Sequence, residues 1–154
     1  DVPGADTVQS SWLTSGIYYG YVVVHLQGLL ANCSGDKELS AQVLHNLIYL
    51  IAETSTSAKL GSTAPYNRPA FMLLEAGDRA PRSLVDAFEK PCRAIMDNAI
   101  ANLVDHLTIL DRDYETGETR KFLSLHPVDV PSAEQTNLKG LANFAKTVME
   151  NIHD

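Results

Sequence analysis

The sequence predicts an α+β fold in which a small sheet lies under helices. Three observations point there: a β-prone run at residues 16 to 27, a short apolar run at Phe71-Met72-Leu73-Leu74, and three stretches whose apolar residues recur three and four apart. Strand, helix, strand, helix in this order is the arrangement of a mixed layer fold.

Residues 16 to 27, Gly-Ile-Tyr-Tyr-Gly-Tyr-Val-Val-Val-His-Leu-Gln, are rich in aromatic and β-branched types and predict a long strand. Both of its faces are apolar, as in a central strand covered by helices, with Gly20 at a bulge or a close backbone approach. Ser34-Gly35-Asp36 makes a turn, and Asp36 is placed to cap a helix opened by Lys37-Glu38 and carrying Leu44, Leu47, Ile48 and Ile51 on one face. Thr54 to Pro69 breaks this periodicity with small, polar and imino residues, and predicts an exposed loop longer than most structural connections.

The run Phe71 to Leu74, bounded by Pro69 and Gly77, reads as a buried strand, although such a run is also compatible with a helix. Arg82 to Phe88 predicts a helix that restarts at Pro91 and continues its stripe through Ile95, Met96, Ala99, Ile100, Leu103, Val104 and Leu107. Tyr114-Glu115-Thr116-Gly117 is a turn and Lys121 to His126 another short strand. Ser132 with Gln135 matches a capping box ahead of a final amphipathic helix bearing Leu141, Phe144, Ala145, Val148 and Ile152. Two or three strands make a thin sheet, which suggests that further strands lie outside this sequence.

At 154 residues, 45% hydrophobic and 20% charged, the chain suits a single soluble unit spanning 1 to 154. No apolar run approaches the roughly 20 residues of a membrane span, and Asp1 to Asp6 lack the pattern of a signal peptide, so we expect a cytoplasmic protein without a membrane partner. The start at Asp1 suits a fragment, a processed form or a trimmed chain. Cys33 and Cys92 have neither disulfide-framework nor zinc spacing, and the five histidines form no ligand pair. Neither metal nor cofactor is expected.

No nucleophile elbow, phosphate loop or dinucleotide fingerprint occurs, so no catalytic residue is assigned and the chain is expected not to be an enzyme. The nearest approach to a catalytic set is Asp111, Asp113 and His126; the two aspartates flank Arg112 in what reads as a solvated loop. A net charge of -7 argues against a uniformly basic nucleic-acid binder. The charge is uneven, however. Residues 59 to 93 hold Lys59, Arg68, Arg79, Arg82, Lys90 and Arg93 against Glu75, Asp78, Asp86 and Glu89, so any anion-binding face belongs there. Within that window the loop supplies cations from Lys59 and Arg68, hydroxyls from Ser62 and Thr63, a close backbone approach at Gly61 and a stacking ring from Tyr66, with Asn67 beside it. These are the residue types that grip a sugar-phosphate chain. The competing reading is a protein interaction module without RNA binding, docking through the acidic helical residues Asp97, Asp105 and Glu150.

An ordered series also carries a family likeness: Thr14 to Tyr21, a helix ending in Ala52-Glu53, Ser57-Ala58-Lys59, Ala64-Pro65-Tyr66-Asn67, and Pro81 to Lys90. It resembles the C-terminal half of the CasC backbone subunit of the type I-E CRISPR Cascade complex. The likeness covers roughly residues 5 to 95 well and the C-terminal helix loosely. It implies part of a modified RRM-like (ferredoxin-like) palm and a non-catalytic role in holding CRISPR guide RNA. The implied partners are that RNA, other copies of the chain in a helical backbone, other Cascade subunits, and target DNA through the guide.

By the same resemblance residues 1 to 13 form the returning limb of a thumb, with Val8 at an apolar thumb position, and Lys59 is the lysine of the RNA-facing loop, followed by Tyr66, Asn67 and Arg68. Arg82 and Ser83 are expected in packing or subunit contact. Val8 to Leu13 and Leu60 depart from the family pattern.

Overall fold

The computed structural model describes residues 16–54, 66–90 and 94–152. Helices cover both faces of a three-stranded sheet. The elements are α1 (Leu26–Asn32), α2 (Lys37–Glu53), β1 (Phe71–Ala76), a 3-10 turn (Val85–Phe88), α3 (Met96–Tyr114), β2 (Thr119–Ser124), β3 (Ala133–Gln135) and α4 (Leu138–Glu150). The strand order is β1-β2-β3. β1 and β2 pair antiparallel from Phe71 opposite Ser124 to Ala76 opposite Thr119. β3 joins in parallel, with Arg120 opposite Ala133, so the sheet is mixed.

Alternation along the strands divides the apolar residues between two cores. Met72, Leu74 and Leu123 pack against Leu30, Ala41, Leu44, Ile48, Leu141, Ala142, Ala145 and Met149, the layer made by α1, α2 and α4. Phe71, Leu73 and Phe122 turn the other way, onto Leu84, Ile100, Leu103, Val104, Leu107 and Val130 beneath α3. The near-continuous apolar run of β1 is thus explained by burial on two sides.

Local chemistry sets the helix ends. Asp36 accepts from the Leu39 N–H at 2.9 Å and starts α2 where the sequence places it. Ahead of it, Ser34 and Gly35 take left-handed angles (φ 58° and 79°) that turn the chain out of α1. α3 ends in the same way, with Glu115 at φ 48° and Gly117 at φ 72° in the expected turn. Among the described residues no helix is long and apolar enough to cross a membrane.

Three elements differ from expectation. Residues 16 to 25 form no strand. Among the described residues no neighbour shares a ladder with them, and a strand without a ladder has no stabilising hydrogen bonds. Val22 and Val23 stay 57% and 50% exposed, and the His25 imidazole instead caps α1 by accepting from the Gly28 N–H. The segment is nonetheless anchored: Tyr19 packs on Phe88 with ring centroids 5.7 Å apart, and its hydroxyl accepts from the Leu84 N–H at 3.0 Å.

The helix expected from Arg82 shrinks to the turn Val85–Phe88, because Ser83 Oγ accepts from the Val85 N–H and Arg82 is drawn into an ion cluster. Ser132 and Gln135 do not cap α4. Ser132 has φ 56° and Gln135 belongs to β3, while Asn137 caps the helix by accepting from the Gly140 N–H at 2.9 Å. Residue 140 must be glycine there, since a Cβ would meet Thr136 Oγ1 at 1.9 Å.

The ion cluster closes one end of the layer under α3. Arg120 on β2, its side chain 2% exposed, donates Nε to Glu75 on β1 at 2.5 Å, both terminal nitrogens to Asp111 on α3, and Nη2 to Glu118 at 3.1 Å. Arg82 bridges the same carboxylates, reaching Glu118 at 2.7 Å and Glu75 at 3.1 Å. Asp111 therefore belongs to a helix and a structural network, and the solvated-loop expectation is corrected. Two cations, of which Arg120 is buried, face three part-buried carboxylates, so removing one cation leaves acidic charge under-compensated where solvent reaches it poorly.

Burial by itself raises the Asp111 carboxyl, but hydrogen bonds from Arg120 and Thr116 and the charges of Arg120 and Arg82 outweigh it and hold the group below its ordinary 3.8. Glu118 is likewise held below 4.5, against burial, by the Thr116 hydroxyl, its own backbone N–H and both arginines. Both folded values lie below the unfolded ones, so the stabilisation is complete above about pH 5 and is lost as pH falls through the folded values. We expect thermal stability to be level between about pH 5.5 and 8 and to fall below about pH 4.5, read by circular dichroism melts. Arg120→Leu should lower unfolding free energy by about 2 kcal/mol in urea titrations, since it leaves three part-buried carboxylates to one remaining arginine.

Candidate nucleic-acid interface

The loop expected to face RNA lies between a helix and a strand, and the structure describes both flanks. α2 ends at Glu53 and β1 begins at Phe71. Lys59, Ser62 and Val8 lie outside the described residues. Tyr66, Asn67 and Arg68 lie within them, and all three are exposed, Tyr66 at 71%. Arg68 Nη2 lies 3.5 Å from Glu53 Oε1, which ties the segment leading into β1 to the last turn of α2. Both side chains are at least half exposed, so the pair is held loosely and screened by solvent.

An open cleft on α2 adjoins this contact, lined by His45, Asn46, Tyr49, Leu50 and Glu53. His45, Tyr49 and Glu53 recur at four-residue spacing, which stacks them in one row along the helix. The rings of His45 and Tyr49 approach with centroids 5.4 Å apart. Sequence reasoning assigned none of these five a functional role, because the helical spacing was used for the buried stripe alone. The four-residue recurrence of two rings and a carboxylate was the signal available.

Other groupings do not assemble. Asp113 pairs with its neighbour Arg112 in solvent, and Asp111 is committed to Arg120. His126 Nδ1 sits 2.6 Å from Asp97 at the start of α3, fourteen residues before Asp111 and so about 21 Å away along the helix. Asp111, Asp113 and His126 are therefore dispersed and form no catalytic set. Asp97 and Asp105 belong to α3 while Glu150 belongs to α4, across the sheet, so the acidic residues of the interaction-module reading share no face. Among the described residues, no three His, Cys, Asp or Glu side chains gather as a metal site. Arg68→Ala should change unfolding free energy by no more than about 0.5 kcal/mol in chemical denaturation, because it removes only an exposed ion pair.

Residues 1–150 match the family model described as CT1975-like protein. Among solved structures, a chain of a "CRISPR RNA-guided surveillance complex" superposes with a TM-score of 0.73 at 18% identity, over 80% of this chain and 50% of that one. A chain of a "CRISPR RNA-guided surveillance complex, pre-nicking" gives 0.73 at 17% identity, over 81% of this chain and 36% of that one. These identities are a likeness of fold, and this chain spans half or less of either chain's length. No curated protein matches significantly. With a family match running nearly end to end, the chain belongs to the CT1975-like protein family.

Proposed function

We propose that this chain forms the C-terminal part of a CasC-like palm and helps hold guide RNA in the backbone of a CRISPR Cascade complex, as a cytoplasmic, non-catalytic scaffold in antiviral defence. The carrying observation is the family match over residues 1–150, and the shared fold with chains of an RNA-guided surveillance complex supports it. The lead-in to β1 supplies fitting chemistry: a ring able to stack, an amide able to reach a base edge, and a guanidinium whose ion pair among the described residues is exposed and weak.

On this reading Lys59, Ser62, Tyr66, Asn67 and Arg68 contact the RNA, and residues 1 to 13, with Val8, are the returning limb of a thumb. The partners are the guide RNA, further copies of the chain, other Cascade subunits, and target DNA through the guide. The test is to purify the chain from cells expressing a CRISPR array, extract small RNA, and measure the affinity of that RNA at several salt concentrations. Lys59→Ala and Arg68→Ala should each weaken binding and flatten the plot of log affinity against log salt, by about 0.7 for each single-strand phosphate that is no longer neutralised. Wild-type affinity and slope in both variants would remove these residues from the interface. A partner complex that survives nuclease and high salt, with no RNA recovered, would favour the protein interaction module.

A further inference from the structure

The cleft on α2 carries an assignment that neither the family nor the fold makes. We propose that His45 and Tyr49 form a stacking platform for an unpaired base of single-stranded RNA, continuing the contact surface of Tyr66 to Arg68; this rests on the RNA-holding function proposed above. The cleft is open to solvent along one face of α2, with about 500 Å³ of accessible space above it. Two rings sit at its side, 5.4 Å apart and inclined by 47°, and Leu50, 59% exposed, gives it an apolar wall. Asn46 lies between the rings in sequence; its Oδ1 accepts from Gln42 Nε2 at 3.0 Å, which fixes an amide beside the stacking faces.

The far end of the row is the Glu53–Arg68 pair. Because that pair is exposed and loose, a phosphate can exchange with the Glu53 carboxylate on Arg68 at little cost. From His45 to Glu53 the row covers about 12 Å of helix, room for one or two nucleotides with the phosphate at the Arg68 end. Along the solvent side of α2 the exposed Leu39, Val43 and Leu50 recur four and seven residues apart beside the cleft, so a docked helix is the competing occupant, and the self-association arm of the experiment decides between the two.

The experiment uses the full chain with fluorescent oligouridylate, read by anisotropy at two salt concentrations, beside Tyr49→Ala, His45→Ala, Tyr49→Phe and Arg68→Ala, with circular dichroism to confirm that α2 is retained. Tyr49→Ala should weaken binding about fivefold or more with an unchanged salt slope, since it removes a stacking surface and leaves every phosphate partner in place. Tyr49→Phe should bind within about twofold of wild type, because the ring remains, and Arg68→Ala should flatten the slope. Wild-type affinity in both Tyr49→Ala and His45→Ala, with Arg68→Ala still weakened, overturns the platform and leaves the RNA-holding function standing. Absence of binding by the wild-type chain overturns both. Unchanged RNA affinity together with loss of self-association in Tyr49→Ala assigns the cleft to a protein interface, and the platform falls.

Discussion

The guanidinium of Arg120 sits at the one point where β1, β2, α3 and the chain leading into the 3-10 turn meet, and each of the four supplies or neighbours a charge there. Its cross-strand partner Glu75 fixes the register of the β1–β2 pair, because a slip by one residue would move Arg120 to the opposite face, into the layer of α1, α2 and α4. Asp111 ties α3 to the sheet at its C-terminal end, and Arg82 draws in the segment after β1. Hydrophobic burial supplies the bulk of the cohesion in both layers. The charges add direction, since a guanidinium fork accepts only a few arrangements of its carboxylates.

Much of the fold was legible where the deciding chemistry is local. Asp36 announces α2, the Leu44–Ile48 spacing gives its buried side, and the left-handed turn at Glu115 and Gly117 ends α3. The failures lie mostly where long-range pairing, present or missing, decides against a local pattern. Tyr18 to Val24 has the composition of a strand, but a ladder requires a neighbour at hydrogen-bonding distance, which sequence composition does not supply. Ser132 and Gln135 have capping-box spacing, but Gln135 is taken into the parallel ladder opposite Phe122 and the cap passes to Asn137. Arg120 gave no signal at all, because its carboxylates lie 45, 9 and 2 residues away in sequence.

The candidate interface was legible in part, since residue chemistry can identify a ring, an amide and a cation in one loop but cannot show what stands beside them. The structure adds the last turn of α2. Glu53 acquires a partner in Arg68, and His45 and Tyr49, to which the sequence reading gives no role, form a row that leads toward the same point.

The acidic balance of the chain is reconciled with the proposed anion-binding role by where the carboxylates lie. Glu75, Asp111 and Glu118 face Arg82 and Arg120 in the layer under α3, at the Ala76 and Thr119 end of the β1–β2 pair. Arg68 precedes the opposite end of β1, five residue steps or about 17 Å from Ala76 along the strand, and its contact is with α2 on the other side of the sheet. Beyond one Debye length, about 8 Å at physiological ionic strength, exposed charges are largely screened from one another, and this cluster is already mostly neutralised within itself. Among the described residues the carboxylate paired with Arg68 is Glu53. Under the proposed RNA contact its exposed, weakly held position makes it the group that a phosphate would displace, so net charge is a poor guide to what this surface can bind.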